Sequence, residues 1–103
     1  MRKNIQRVFA AWRGGHRLNL GSISTDGEMI KSYNTPILFW QTLEDGNKHL
    51  ILNMERYSAT TSLQQNGLYF LLGQWDFAFV KRGGKEPLKK YDQEELIGAG
   101  DQP

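Results

Sequence analysis

Residues 23–65 read ISTDGEMIKSYNTPILFWQTLEDGNKHLILNMERYSATTSLQQ, and the order of signals in this stretch decides the fold. Asp26-Gly27 and Asp45-Gly46 each stand between apolar runs. Asp-Gly in that setting predicts a hairpin, because a type I′ turn needs positive φ at both central residues. The return strand at 28–33 alternates: Met29, Lys31 and Tyr33 face one way, Ile30 and Ser32 the other. Asn34-Thr35-Pro36 interrupts it, since proline has no N–H for a ladder and marks a turn or a strand start. Ile37 to Trp40 is a continuous apolar run, the pattern of a strand covered on both faces or by a helix on one. His49 to Asn53 returns from the second turn, so the stretch predicts an antiparallel meander.

The pattern changes at Tyr57. Ser58, Thr60, Thr61 and Ser62 are N-cap residue types, and Thr61 with Gln64 has capping-box spacing. A helix over about 61–72 follows, in which Leu63, Gly67, Phe70 and Leu71 can share a face with Leu68 and Leu72 beside it. Asn66-Gly67 is a break signal inside it.

Upstream, Ile5, Val8, Phe9 and Trp12 have the i, i+3, i+4, i+7 spacing of one helix face, and Gly14-Gly15 stops the helix. Such stripes usually dock on a core. Leu18 and Leu20 alternate with Asn19 before Gly21, a strand with a candidate bulge. Downstream, residues 74–80 alternate as a last strand with Trp75, Phe77 and Phe79 on one side; 81–85 reads as a loop and 88–97 as a short helix. The expectation is one α+β domain over 1–90: a mainly antiparallel four- to five-stranded sheet, an N-terminal helix and a second helix near 61–72. Residues 91–103 read as an acidic, flexible tail.

The chain has 103 residues, enough for one core and too few for two. The absence of cysteine excludes a disulfide framework, a thiolate metal site and a cysteine nucleophile. No apolar run approaches the ~18 residues of a membrane span, so the chain reads as a protein of the cytoplasm without membrane contact. The net charge of +2 is unevenly spread. Residues 1–17 hold five bases and no acid, residues 81–90 five bases and one acid, and residues 91–103 four acids and no base. Arg2, Lys3, Arg7, Arg13, Arg17, Lys81, Arg82 and Lys85 are therefore the candidate contacts for an acidic protein face or for nucleic acid.

Catalytic signals are sparse. His16 lies in a glycine loop and His49 opens a strand, and neither has metal-ligand spacing. Glu44-Asp45 and Glu94-Glu95 read as solvated charge. No catalytic residue, metal or cofactor is expected. The hydroxyls of Thr60, Thr61 and Ser62 at a helix N-terminus form a candidate anion site, against plain capping. Tyr33 and Tyr57 read as core or rim residues. No recognised nucleic-acid reader motif is present.

The words Ile23-Ser24-Thr25-Asp26-Gly27, Ser32-Tyr33-Asn34-Thr35-Pro36-Ile37, Asn53 and Tyr57-Ser58-Ala59-Thr60-Thr61-Ser62-Leu63-Gln64-Gln65 resemble, in order and spacing, a set of small proteins of bacteriophages and other mobile elements. The resemblance spans about residues 20–66. Gln64 stands where that pattern has histidine, so no role of that histidine carries over. No activity is assigned to the set. The resemblance implies a host-cell setting, in which small proteins without catalytic constellations act by binding. The expectation is a non-enzymatic protein that binds a host protein or ribonucleoprotein complex, as an anti-CRISPR-like inhibitor of host defence does. The positive net charge argues against mimicry of DNA. The alternative is a small nucleic-acid-binding accessory protein that uses the basic segments 1–17 and 81–90.

Overall fold

The computed structural model describes residues 2–42 and 46–73 in full, and the backbone of 78–81 and 88–89. Helix α1 (Lys3–Arg13) is followed by five strands: β1 (Leu18–Asn19), β2 (Ile23–Thr25), β3 (Ile30–Ser32), β4 (Thr35–Thr42) and β5 (Lys48–Asn53). Helix α2 (Ala59–Leu71) then leads to β6 (Ala78–Lys81) and β7 (Leu88–Lys89). The fold is α+β, and β1 to β5 form the expected antiparallel meander. Beyond it, β6 pairs with β5 in parallel, with α2 as the crossover that a parallel pair requires. The helix expected over 88–97 is corrected at its start: Leu88 and Lys89 form β7, paired antiparallel with β6. The edge of β6 presents ladder groups that a following segment can take up. The remainder of that helix, residues 74–77 of the expected last strand, residues 82–85 of the expected loop and the tail 91–103 lie outside the described residues.

The apolar stripe of α1 is buried as its spacing predicts: Ile5, Val8, Phe9 and Trp12 are inside. They meet Ile23, Ile30, Ile37, Leu38, Leu50, Leu52, Leu68 and Leu72 in one cluster. Each such burial contributes roughly 1.5–3 kcal/mol as an upper figure. Trp12 also donates its indole N–H to the Glu28 carbonyl at 2.8 Å, so the ring's polar atom is satisfied inside. The helix stops by a Schellman motif. The Gly15 N–H reaches the Trp12 carbonyl, the His16 N–H reaches the Ala11 carbonyl, and Gly15 takes φ +72°.

The β2–β3 hairpin forms at Asp26-Gly27, but not through a type I′ turn. Of the two central residues, only Gly27 has positive φ. Thr25 pairs with Ile30, leaving residues 26–29 as the loop. Side chains organise that loop: Asp26 Oδ1 accepts from the Glu28 and Met29 N–H groups, and Thr25 Oγ1 accepts from Gly27 and donates to Met29. The N–H groups of Met29 and Glu28 hold the Asp26 carboxyl below the usual carboxylate range.

In β4 the continuous apolar run has a specific cause. The register moves from Ile30–Leu38 to Lys31–Pro36, so Ile37 is an extra residue on β4. The bulge puts Ile37 and Leu38, consecutive in the chain, into the same core. Ile51 lies outside that cluster and pairs with half-buried Phe39.

Gly27 and Gly46 separate two roles of a turn glycine. Both have positive φ, but a Cβ on Gly27 would lie 2.7 Å from the Gly15 carbonyl oxygen, whereas one on Gly46 would meet open space. Urea unfolding is expected to show Gly46→Ala costing about 1 kcal/mol and Gly27→Ala more than about 2 kcal/mol. Equal losses would contradict the close approach of the hairpin to the end of α1.

Candidate functional site

Helix α2 begins one turn earlier than its capping-box spacing suggests. Ser58 is the N-cap and accepts from the Thr61 N–H through its hydroxyl. The Thr61–Gln64 capping box is thus corrected. Both side chains point into the protein, where the sheet offers partners a free helix end lacks.

What they meet is a polar seam. Ser32 Oγ and Thr61 Oγ1 are 2.7 Å apart, and both residues are buried. Ser58 Oγ also donates to Thr61 Oγ1. The Gln64 amide nitrogen reaches the carbonyl and hydroxyl of Ser22, between β1 and β2. The Gln65 amide nitrogen donates to the carbonyls of Asn53 and Glu55 at 2.8 Å each, at the exit of β5. Asn53 in turn donates to the Pro36 carbonyl and the Tyr57 hydroxyl, and accepts from the Glu55 N–H. Helix α2 is therefore tied by side-chain bonds at Ser22, at Ser32 and at the end of β5.

The consequence is a helix with polar groups inside and apolar groups outside along part of its length. Thr61, Gln64, Gln65, Gly67 and Leu68 are buried. Leu63 is 49% exposed and Phe70 is 75% exposed. Leu63 and Phe70 stand off the core face, which Leu68 and Leu72 supply. Leu63, Asn66, Gly67 and Phe70 line a groove of about 530 Å³, bounded on the other side by Ile5 of α1 and by Arg2, the residue that precedes the helix. A second hollow of about 410 Å³ lies beyond the end of α1, bounded by Trp12, Arg13, Gly15, Gly27 and the half-exposed Trp40.

The basic residues of the first segment are all on the surface: Arg2, Lys3, Arg7, Arg13 and Arg17 are exposed. Arg2 borders the groove and Arg13 the second hollow, so the structure distributes these charges around α1 rather than gathering them at one point. The side chain of Lys81, and Arg82 and Lys85 entirely, lie outside the described residues. Of the candidate anion site, Thr61 is buried with its hydroxyl bonded inward, while Thr60 and Ser62 are half-buried. Tyr33 and Tyr57 are rim residues, exposed on the surface. Tyr33 alone among the described non-glycine residues has positive φ, +53°, in the two-residue link from Ser32 to Thr35. Among the described residues, no three His, Asp or Glu side chains are arranged to hold a metal ion, and no helix is long and apolar enough to cross a membrane.

The sequence shows Leu63 and Phe70 only as members of one helix face with Gly67 and Leu71. The signal that turns them outward is the pair Gln64-Gln65, each able to bridge backbone groups when buried. Compared with known proteins, the chain matches no family model, no curated protein and no solved structure.

The seam makes a quantitative expectation. Ser32→Ala and Thr61→Val should each cost about 1–3 kcal/mol, because each leaves a buried hydroxyl short of a partner. The double variant should cost at least ~0.5 kcal/mol less than their sum in chemical denaturation. Additive losses would mean that the two hydroxyls do not act as a pair.

Proposed function

We propose that this chain is a non-enzymatic binding protein of the phage-encoded kind its motifs resemble, acting on a host protein complex as an inhibitor of host defence. One observation supports the binding reading above the others. Helix α2 buries glutamines and threonine while presenting Leu63 and Phe70 to solvent. Large apolar side chains displayed beside a groove are the usual anchors of protein recognition. The direction toward a host complex, and toward defence systems of the CRISPR type, comes from the ISTDG, SYNTPI and YSATTSLQQ words and their order. The site of action is then the host cytoplasm.

A second reading has its own support. Arg2, Lys3, Arg7, Arg13 and Arg17 are exposed, and α1 carries no acidic residue. A nucleic-acid accessory role follows if these contacts neutralise phosphates.

Affinity capture from host lysate, followed by reconstitution with the purified candidate, separates the two. The first reading expects a stoichiometric protein complex that survives nuclease treatment. Recovery of no stoichiometric protein partner would overturn it. The second expects DNA or RNA binding that weakens steeply with salt and with Arg7→Ala, Arg13→Ala and Arg17→Ala together. No binding to either nucleic acid at low salt would overturn that one.

A further inference from the structure

The groove between α1 and α2 has a shape and a charge that select one kind of occupant. Leu63, Gly67 and Phe70 follow one another at i, i+4 and i+7 along α2. That spacing makes a strip about 10 Å long, the span over which a partner helix seats successive side chains. Gly67, buried between Leu63 and Phe70, forms the floor of the groove. The wall opposite is Ile5, with Arg2 at its mouth.

Among the described residues that line the groove, the charged side chain is Arg2. Neither α1 nor α2 contains an acidic residue, and Arg2, just before α1, is exposed. A second copy of this chain would bring the same bases against one another. A nucleic-acid strand seeks successive rings on which to stack, and among the described residues this groove offers only the ring of Phe70. A helix with an apolar stripe and flanking carboxylates meets both features at once.

We propose that the α1–α2 groove docks an acidic amphipathic helix of a partner protein. Its apolar stripe seats on Leu63 and Phe70, and its carboxylates face Arg2, the base that lines the groove. This rests on the reading of the chain as a protein-binding module and names the face and the chemistry of that binding. The charges steer the encounter and fix polarity, while the apolar strip holds the complex.

The test is selection of binders to the whole chain from a display library of random helical peptides of about 16 residues, a length that covers the strip with turns to spare. The selected peptide is then synthesised and titrated by fluorescence anisotropy. The expected peptides are acidic and carry apolar residues at i, i+3 or i+4, and i+7. Phe70→Asp and, separately, Leu63→Lys should weaken binding at least ~10-fold, as removal of an interface anchor does. Arg2→Glu should weaken it about 3- to 10-fold, and added salt should narrow that difference. Both anchors are exposed, and circular dichroism checks that the variants keep the fold.

Failure to select a helical binder, selection of basic or uncharged binders, or binding indifferent to both Phe70→Asp and Leu63→Lys would overturn the proposal. So would a dimer in analytical ultracentrifugation, or binding of a single-stranded oligonucleotide, if Phe70→Asp abolishes it. A partner captured from lysate that remains bound to both anchor variants would overturn the groove assignment and leave the binding-protein reading standing.

Discussion

The 2.7 Å hydrogen bond between Ser32 and Thr61 is the constraint on which the placement of α2 depends. It joins the end of β3 to the first turn of the helix, both groups buried. A buried hydroxyl without a partner is costly, so the two elements are locked in rotation as well as in distance. With Thr61 turned inward, helical geometry carries Gln64, Gln65 and Leu68 inward after it, at i+3, i+4 and i+7. The same geometry turns Leu63 and Phe70 outward. Gln65 then closes on the carbonyls at the exit of β5, which holds the crossover over the strand that β6 joins in parallel. The polar contacts of α2, beginning with this one, therefore set both the path of the chain and the character of its surface.

This arrangement has a cost that remains visible. Gln64 Oε1 is buried and has no hydrogen-bond partner among the described residues. Tyr33 holds a left-handed backbone angle that aromatic residues seldom adopt, immediately after Ser32. Its N–H bonds to the Ser22 carbonyl, and the pairing of Ser32 with Thr35 fixes the link on the other side. Strain and an unpaired acceptor thus border the seam, and the core contacts of α1 and the meander offset them. Helix α1 does the opposite of α2: its apolar stripe is wholly inside and its bases wholly outside. The groove lies where these two kinds of helix meet.

Much of this fold was legible because periodicity and turn chemistry agreed. The stripe Ile5–Trp12, the hairpin at Asp26-Gly27 and the return strand through Leu50–Leu52 each carry two independent signals. What was not legible depended on partners distant in sequence. Helix α2 has apolar residues at enough positions that its wheel does not choose a face, and the choice is made by Ser22, Ser32 and Asn53. The bulge at Ile37 is invisible in a run of apolar residues, since both the bulged and the regular strand bury it. Asp26 and Thr25 replaced the type I′ turn with a loop held by side-chain bonds, a choice that Asp-Gly alone does not reveal. The candidate site was hidden for the same reason as the face of α2, because Leu63 and Phe70 look like core in any local window. Arg2, Lys3, Arg7, Arg13 and Arg17 are exposed, as charged side chains usually are.

The account stands on the claim that α2 is held by polar groups and displays apolar ones. Urea unfolding of Gln65→Leu and Phe70→Gln, compared at one temperature and pH, tests it most directly. Adding apolar surface at residue 65 should destabilise the protein by about 1–3 kcal/mol, since the buried Asn53 carbonyl and the part-buried Glu55 carbonyl lose their donor. Removing apolar surface at residue 70 should change stability by less than about 0.5 kcal/mol, as at an ordinary exposed position. The reverse order, with Gln65→Leu neutral and Phe70→Gln costly, would contradict the account.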